Sequence, residues 1–474
     1  MLRYSNPIIT ADYPDPDVIR VGKDFYMVSS SFNYFPGVPI MHSTDLVNWE
    51  LINYVIAEPV AGFNKVRSGE GAWACSIRYH KGIFYCLIPF PDEGLFVSVS
   101  IDPYGKWSKL KCLYEGKGYE DPCPIWIDDK TYVVFAFVKS RIGFNSKLGL
   151  IETDETLSAV LSDNYSIIYD GTEKDQTIEG PKVYKIGKMI YILAPAGGVE
   201  HGYQVGLSSR SIMGPFRRSV LLKQGDNGIN GPHQGALIDI DDKKRYAFIH
   251  FEDQKELGRV VMLEPADIDC NGNIKLGINS LPVRDGVVLT KEDARSIDYS
   301  DSFDSDKLSL IWQTPAIVEA GWINPSKNGL VMNSRFQSLD DFISFPYRLC
   351  QKVSSYHQKA SLILDLFLDE GDKMLFGIIG RSYLLIGVKK SRGKLYRIIA
   401  TVNQEEVIDE ITGTNGIILD VKYDYPNLCS CSENKKSVMI DKEHWTGLHY
   451  CIGLITHNSS SRGFAVLKRF TISK

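Results

Sequence analysis

One alternation of polar and apolar positions recurs five times in the first 250 residues of the chain. Each copy has a short polar or charged lead, an apolar strand, a turn and a second strand with a central tyrosine. The tyrosine follows its lead by 11 to 13 residues. Repeats of roughly 50 residues built from strands are typical of β-propeller blades packed around one axis. The leads and their tyrosines are Asp15 and Tyr26, Ala74 and Tyr85, Asp121 and Tyr132, Glu179 and Tyr191, and His233 and Tyr246.

The second half of the chain has a different pattern of apolar positions. Beyond about residue 300, short apolar strands recur every 8–15 residues and are separated by Gly, Asn and Asp turns. This spacing is typical of a two-sheet β-sandwich. A polar stretch at residues 291–308 predicts a domain junction near residues 290–300, and its first six residues, KEDARS, suggest one turn of helix. We therefore predict an all-β chain with a propeller in residues 1–292 and a sandwich in residues 300–474.

Composition excludes several classes of function. The formal net charge is −5 and the isoelectric point is about 6.0, so no basic surface for nucleic acid is predicted. No apolar run approaches the roughly 18 residues that a membrane span requires, and the first residues lack the apolar core of a signal peptide. Nine cysteines without a CxxC pair indicate reduced, mostly buried thiols, with Cys429 and Cys431 in a turn-like stretch. We therefore expect a cytoplasmic protein without a membrane partner.

Four of the five repeat leads carry reactive side chains: Asp15, Asp121, Glu179 and His233. Each has a structural interpretation when taken alone, because Asp-Pro and Glu-Gly-Pro sequences favour turns and a histidine can fill the axis. Their shared offset from the blade tyrosine favours a site, since leads on innermost strands would all face one central space. Three carboxyl groups and an imidazole would then lie close together.

Neighbouring carboxyl groups are suited to acid–base chemistry. Two like charges repel, so one carboxyl stays protonated near neutral pH while another stays ionised. Glycoside hydrolysis uses such a pair, about 6.5–9.5 Å apart in inverting enzymes and about 5–5.5 Å apart in retaining ones. Acids from different blades, facing each other across a central cavity, favour the longer distance.

Aromatic residues near the leads are candidates for sugar binding. Phe32, Tyr34, Phe35 and Trp73 lie just after or beside leads, and the C–H faces of sugars stack on aromatic rings. Core packing is the alternative for each of them, and we favour a sugar subsite for Phe32 and Trp73 alone. For His233 the functional interpretations are tuning of the acids or binding of a cation through water.

The chain resembles glycoside hydrolase family 43 in six ordered motifs: YPDPDVIRVGKDFYMVSSSF, FPGVPIMHSTDLVNWELI, WACSIRYHKGIFY, EDPCPIWIDDKTYVV, EGPKVYK and NGPHQGALID. The resemblance extends to about residue 285. The remainder resembles the β-sandwich that is appended to the β-xylosidase-like branch of the family. The resemblance implies a five-bladed propeller and hydrolysis with inversion.

The resemblance also implies roles for individual residues. Asp15 matches the general base of the family, and Glu179 matches its general acid. Asp121 matches the third acid, which orients the general acid and modulates its pKa. Phe32 and Trp73 match positions that line the sugar subsite nearest the cleaved bond.

His233 matches the central histidine of the family, which in some members helps to hold a calcium ion. It is therefore a candidate both for substrate binding and for a structural calcium ion, and no required cofactor is expected. The chain departs from the family at Cys75, where Trp-Ala-Pro is usual, and at Asp17, where Asp-Pro-Ser is usual. The motifs assign no arginine to the substrate.

The expected function is that of an exo-acting β-D-xylosidase, an α-L-arabinofuranosidase or both. Such an enzyme would release xylose or arabinose from xylo- or arabinoxylo-oligosaccharides. An endo-arabinanase is one alternative, for which an open groove is expected. A non-catalytic sugar-binding propeller is the other, and it would be favoured by loss of a lead acid, whereas all three acids are present.

Overall fold

The structure is a computed structural model that describes residues 2–60, 63, 65–225, 231–241, 243–288, 297–431 and 436–473. Strands form almost all of its regular structure. Its helical segments are α1 (Lys139–Ile142), α2 (Gly198–His201) and two 3₁₀ turns, Lys255–Leu257 and Phe342–Ser344. The prediction of an all-β chain is confirmed. In the part of the chain that is described, no helix is long and apolar enough to cross a membrane.

Five four-stranded antiparallel sheets follow one another along the first part of the chain, after strand β1 (Leu2–Ser5). They are β2 (Asp17–Val21), β3 (Asp24–Val28), β4 (Gly37–Ser43) and β5 (Glu50–Ile56) in blade 1; β6 (Ser76–His80), β7 (Ile83–Phe90), β8 (Gly94–Ser100) and β9 (Lys111–Glu115) in blade 2; β10 (Tyr119–Ile127), β11 (Lys130–Phe137), β12 (Lys147–Thr153) and β13 (Ser166–Asp170) in blade 3; β14 (Lys182–Ile186), β15 (Met189–Ala196), β16 (Tyr203–Ser209) and β17 (Arg217–Leu222) in blade 4; and β18 (Gly235–Asp239), β19 (Tyr246–Asp253), β20 (Arg259–Ile268) and β21 (Ile274–Leu276) in blade 5. Strand β22 (Asp285–Val288) then pairs with β1.

The first strand of each blade lies next to the propeller axis. Strand β2 contacts both β6 and β18, and β10 contacts both β6 and β14. Four of the leads lie two or three residues before these strands, and Asp121 lies within β10. All five leads are therefore at the same end of the innermost strands, as the sequence repeat predicts.

The repeated tyrosines lie on the second strand of each blade and hold neighbouring blades together. Tyr26 packs edge-on against Phe84 of blade 2, with ring centroids 5.3 Å apart. Tyr85 joins the apolar cluster of blade 3, and Tyr191 joins that of blade 5. The same tyrosine therefore fits the strand and makes the contact between blades, because a large buried aromatic suits a pleated surface that another sheet covers.

The remaining strands form two packed seven-stranded sheets. Their strands are β23 (Ile323–Ser326), β24 (Gly329–Asn333), β25 (Arg335–Phe336), β26 (Leu349–Lys352), β27 (His357–Phe367), β28 (Asp372–Ile379), β29 (Tyr383–Ser391), β30 (Lys394–Thr401), β31 (Gln404–Ile411), β32 (Ile417–Asp424), β33 (Leu428–Cys431), β34 (Ser437–Met439), β35 (His449–Thr456) and β36 (Phe464–Ser473). The sheet orders are β23-β24-β36-β27-β32-β33-β34 and β25-β35-β28-β29-β30-β31, with β26 also paired to β35. The predicted sandwich is confirmed.

Two local predictions have different outcomes. Cys429 and Cys431 lie in strand β33 and are buried, so the turn predicted there is wrong. Their side chains point into the sandwich, where apolar burial outweighs the turn propensity of the serines and asparagines around them. The helical turn predicted at KEDARS lies at residues 291–296, outside the described residues. The same holds for part of the predicted domain junction, whose exact position stays a prediction.

The sandwich contacts the end of the propeller where the leads lie. Asp12 accepts hydrogen bonds from the backbone N–H of Arg259 at 2.7 Å and from that of Gly447, in the loop before β35, at 2.9 Å. Ser68 donates to Glu443 at 2.9 Å, which fixes the same loop a second time. Residues 441–447 are thereby held over the propeller axis.

Candidate active site

Three of the predicted acids line one small cavity at the propeller axis. Its volume is about 100 Å³. That is well below the roughly 300–1,000 Å³ that is usual for sites that enclose a drug-sized ligand. The lining residues are Asp15, Phe32, Trp73, Ala74, Glu120, Asp121, Glu179, Val199, Gln234, Arg259 and Trp445.

Asp15 is held in a strained backbone conformation by two side-chain contacts. Its φ of 55° is in the left-handed region, which a residue before proline rarely adopts. One carboxylate oxygen accepts a hydrogen bond from the Ser30 hydroxyl at 2.5 Å. The other accepts from the Arg259 guanidinium at 2.9 Å in a buried ion pair. Such local strain persists only where the surroundings enforce it, and it concentrates at functional sites.

Asp121 has the same backbone strain, with a φ of 55° at an interruption in the β10–β11 register. Its carboxyl accepts from the backbone N–H of Gly180 at 2.7 Å and from the Gln234 side-chain amide at 2.9 Å. Glycine is required at position 180, because its φ is 57° and a Cβ atom would lie 2.5 Å from the Gln234 side chain. Burial raises the pKa of Asp121 above its ordinary range, Lys182 opposes this and Asp15 adds to it.

Glu179 is the most accessible of the three acids, with 28% of its side chain exposed. Its backbone N–H donates to the Pro195 carbonyl, which fixes the start of blade 4. Burial in the narrow cavity, followed by repulsion from Asp121 and Asp15, raises the pKa of Glu179 to about 8, although Arg259 opposes this. A carboxyl group with this pKa is protonated at neutral pH and can donate a proton.

Aromatic rings and one guanidinium form part of the remaining wall of the cavity. Phe32 has a φ of 50° and is 3% exposed. The Trp73 indole N–H donates to the Gly69 carbonyl at 3.0 Å, which leaves the ring to face the cavity. Trp445, from the sandwich, lies edge-on to Trp73 with ring centroids 6.4 Å apart. The Arg259 guanidinium lies 5.2 Å from the centre of a Trp445 ring.

His233 is placed behind Glu179 and does not line the cavity. It is 1% exposed, and its Nε2 atom lies 3.4 Å from a Glu179 oxygen. Burial, followed by the charges of Arg259 and His250, lowers the pKa of His233 to about 3, so the ring is neutral. His233 is therefore better placed to interact with Glu179 than to contact a sugar.

The described residues alone do not make a calcium site around His233. Calcium prefers six to eight oxygen ligands. In the described ranges, no group of three or more His, Cys, Asp or Glu side chains is arranged to hold a metal ion. Both ring nitrogens of His233 lack a hydrogen-bond partner among the described residues, but nitrogen is not the donor that calcium favours. Calcium at this position stays a prediction, and no chemical step below depends on it.

The departures from the usual family motifs have a structural explanation. The carboxylate of Asp17 is fully buried and accepts from Arg78 at 2.6 Å and from the backbone N–H of Ile77 at 2.8 Å. It therefore links blades 1 and 2 below the cavity. Cys75 is buried, and its carbonyl accepts from the buried Lys182 ammonium at 3.2 Å. Neither side chain lines the cavity.

Five residues of the cavity wall were not predicted from the sequence: Val199 and four residues with polar or aromatic side chains. Gln234 follows the lead His233 and could have been included with it, and Glu120 directly precedes the lead Asp121. Arg259 follows the turn Lys255–Leu257, which carries no catalytic motif. Trp445 comes from the sandwich, and the sequence has no signal that brings it to a propeller.

Comparison with known proteins identifies the family of this chain. Residues 4–274 match the family model described as glycosyl hydrolases family 43. A putative β-xylosidase of Xylanibacter ruminicola is 31% identical over 453 residues, which cover 93% of this chain and 82% of that protein. A non-reducing end α-L-arabinofuranosidase of Bacteroides ovatus is 31% identical over 343 residues, which cover 65% of this chain and 60% of that protein.

Solved structures share the fold of the whole chain. A xylan β-1,4-xylosidase from Bacillus halodurans superposes with a TM-score of 0.84 at 18% identity, covering 99% of this chain and 100% of that one. A Bacteroides ovatus xyloglucan GH43B protein superposes with a TM-score of 0.85 at 22% identity, and both chains are fully covered. At these identities the likeness concerns the fold alone. With the family model spanning more than half of its length, this chain belongs to glycosyl hydrolases family 43.

Proposed function

We propose that the protein is an inverting, exo-acting glycosidase that releases xylose or arabinose from the ends of xylan-derived oligosaccharides. The observation that carries this proposal is that all three lead acids line one cavity of about 100 Å³, which Trp445 of the sandwich also borders. A space of this size suits one terminal sugar. The similar relatives named as a β-xylosidase and an arabinofuranosidase suggest the sugar class.

The contacts of the three acids suit different roles. Asp15, in its ion pair with Arg259, would accept a proton from a water molecule that attacks the anomeric carbon. Glu179, which stays protonated at neutral pH, would give its proton to the departing glycosidic oxygen as the carbon–oxygen bond breaks. Asp121, fixed by Gly180 and Gln234, would keep that proton on Glu179 by repulsion. The new hydroxyl group would then lie on the opposite face of the sugar.

The proposed coupling of Asp121 to Glu179 predicts a change in pH dependence. In the Asp121→Asn variant the negative charge that raises the pKa of Glu179 is absent, so this pKa falls. Because Glu179 must be protonated to act, the alkaline limb of kcat/KM on a natural oligosaccharide should move to lower pH. A pH–rate profile of both proteins measures the shift. An alkaline limb at the wild-type position would rule out the coupling.

Trp445 provides a test of the closed, exo-acting pocket. Its ring lines the cavity and lies under the Arg259 guanidinium. Trp445→Ala should therefore lower kcat/KM for a short xyloside by about 2- to 10-fold, mainly through a higher KM. Steady-state kinetics with xylobiose measure this effect. If kcat/KM on xylobiose were unchanged in the variant, Trp445 would not be part of the sugar pocket.

The substrate class is tested by assaying the purified protein on nitrophenyl β-xyloside and nitrophenyl α-arabinofuranoside in parallel. Turnover of one or both is expected. Activity confined to the interior of a debranched arabinan would favour the endo-acting alternative and contradict the proposal.

A further inference from the structure

A fourth carboxyl group lines the catalytic cavity. Glu120 directly precedes Asp121 in strand β10, is 7% exposed, and faces the same space as Asp15, Asp121 and Glu179. Hydrolysis by the route proposed above uses three acids, so this carboxyl has no role in it.

An irregularity in the strand explains how two consecutive acids reach one cavity. In a regular strand, neighbouring side chains point to opposite faces. Here the pairing of β10 with β11 shifts register between Glu120 and Cys123, and Asp121 adopts a positive φ of 55°. Bulges of this kind re-aim side chains next to active sites. The backbone strain at Asp121 therefore directs Glu120 into the cavity as well.

The carboxyl group of Glu120 has no hydrogen-bond or ion-pair partner within the described ranges. The nearby guanidinium of Arg141 is bound by Asp92, at 3.1 and 3.3 Å, and lies 5.9 Å from the centre of a Trp73 ring. Burial, followed by repulsion from Asp121, Glu179 and Asp15, raises the pKa of Glu120 well above its ordinary range. This shift favours the neutral carboxylic acid, whose O–H donor and carbonyl acceptor both lack a partner among the described residues.

We propose that Glu120 is a specificity-determining residue whose carboxyl group hydrogen-bonds a hydroxyl group of the sugar in the cavity. A sugar hydroxyl both donates and accepts, so it satisfies both unused functions of the acid at once. A sugar that lacks the matching hydroxyl group leaves the buried carboxyl without a partner, and its binding is therefore disfavoured. Glu120 thus selects for a sugar that carries a hydroxyl at one ring position. This inference rests on the proposed function, because it assumes that a pentose occupies the cavity.

The test compares how kcat/KM depends on each ring hydroxyl group of the sugar in the wild type and in Glu120→Met. This substitution keeps the length of the side chain and removes its polar atoms. Kinetics are measured with the preferred nitrophenyl pentoside and with analogues that each lack one ring hydroxyl. In the wild type, the analogue that lacks the hydroxyl bound by Glu120 should lose about 10- to 100-fold in kcat/KM. In Glu120→Met this one loss should disappear, while the losses for the other analogues persist.

Two controls separate sugar recognition from a structural effect. Glu120→Gln retains a donor and an acceptor and should keep much of the hydroxyl selectivity of the wild type. Glu93 is another carboxyl with a raised pKa, but it is exposed and lines a neighbouring cavity without the lead acids. Glu93→Met should therefore leave the whole pattern unchanged.

The outcomes distinguish this inference from the proposed function. Turnover of neither pentoside by the wild type overturns both. If the wild type turns over a pentoside, and the wild type and Glu120→Met show the same losses in kcat/KM for every analogue, only the role of Glu120 is overturned. If Glu120→Met does not fold, the wild type still decides, because a wild type that tolerates every single hydroxyl removal within about threefold has no such hydrogen bond.

Discussion

Asp15→Asn is expected to lower the hydrolysis of every substrate, toward the upper end of the about 10²–10⁴-fold range for loss of an acid–base group. The reason is that asparagine cannot accept the proton of the attacking water, and this step is needed whatever group departs. The loss should therefore be equal for aryl glycosides and for natural oligosaccharides. Steady-state rates on both substrate types measure it, and retention of more than about a tenth of the wild-type rate would rule out Asp15 as the base.

Stability must be separated from chemistry in this experiment. Asp15→Asn leaves the buried Arg259 charge without its anionic partner, and breaking a buried pair costs about 3–5 kcal/mol. Asp17→Asn is a matched control, because Asp17 is two residues away and makes a comparable buried ion pair with Arg78 outside the cavity. We expect thermal unfolding to show a similar destabilisation for both variants, and only the Asp15 variant to lose turnover.

Glu179→Gln is expected to show a loss that depends on the leaving group. For a natural oligosaccharide, whose departing alkoxide needs a proton, the rate should fall by about 10²–10⁴-fold. For a dinitrophenyl glycoside, whose leaving group departs as an anion, the loss should be much smaller. A series of aryl glycosides of increasing leaving-group pKa measures this dependence.

The outcome that contradicts this role is an equal loss across the whole series. The Glu120→Gln variant is a useful comparison, since its carboxamide lines the same cavity and its effect should not vary with the leaving group. If the loss of rate depended on the leaving group in Glu120→Gln and not in Glu179→Gln, Glu120 would be the general acid in place of Glu179.

The propeller and the position of its acids could be predicted because both depend on local sequence. The repeat places a lead, a strand and a tyrosine within 11 to 13 residues, and in each blade the tyrosine pairs across the hairpin with the first strand. Once the strands are known, the closure of the sheets around an axis brings every lead to the same end. Asp15, Asp121 and Glu179 therefore meet without any further long-range information.

The rest of the cavity wall depends on contacts that the repeat does not encode. Arg259 is 244 residues from Asp15, and it follows an ordinary turn at the start of β20. Trp445 comes from the sandwich, and its position depends on hydrogen bonds such as that from the backbone N–H of Gly447 to Asp12. Glu120 was not predicted for a different reason. In a regular strand its side chain would point away from that of Asp121, and the register shift in β10 brings both side chains to the same cavity.

The configuration of the first product tests most directly whether Asp15 and Glu179 act on opposite sides of the sugar with a water between them. Proton NMR, recorded within the first turnovers of a β-xyloside, resolves α- from β-xylose before mutarotation mixes them. Direct attack by a water that Asp15 activates must give α-xylose first. The appearance of β-xylose first would require a covalent intermediate and a carboxyl pair about 5–5.5 Å apart, and it would contradict the roles proposed for both residues.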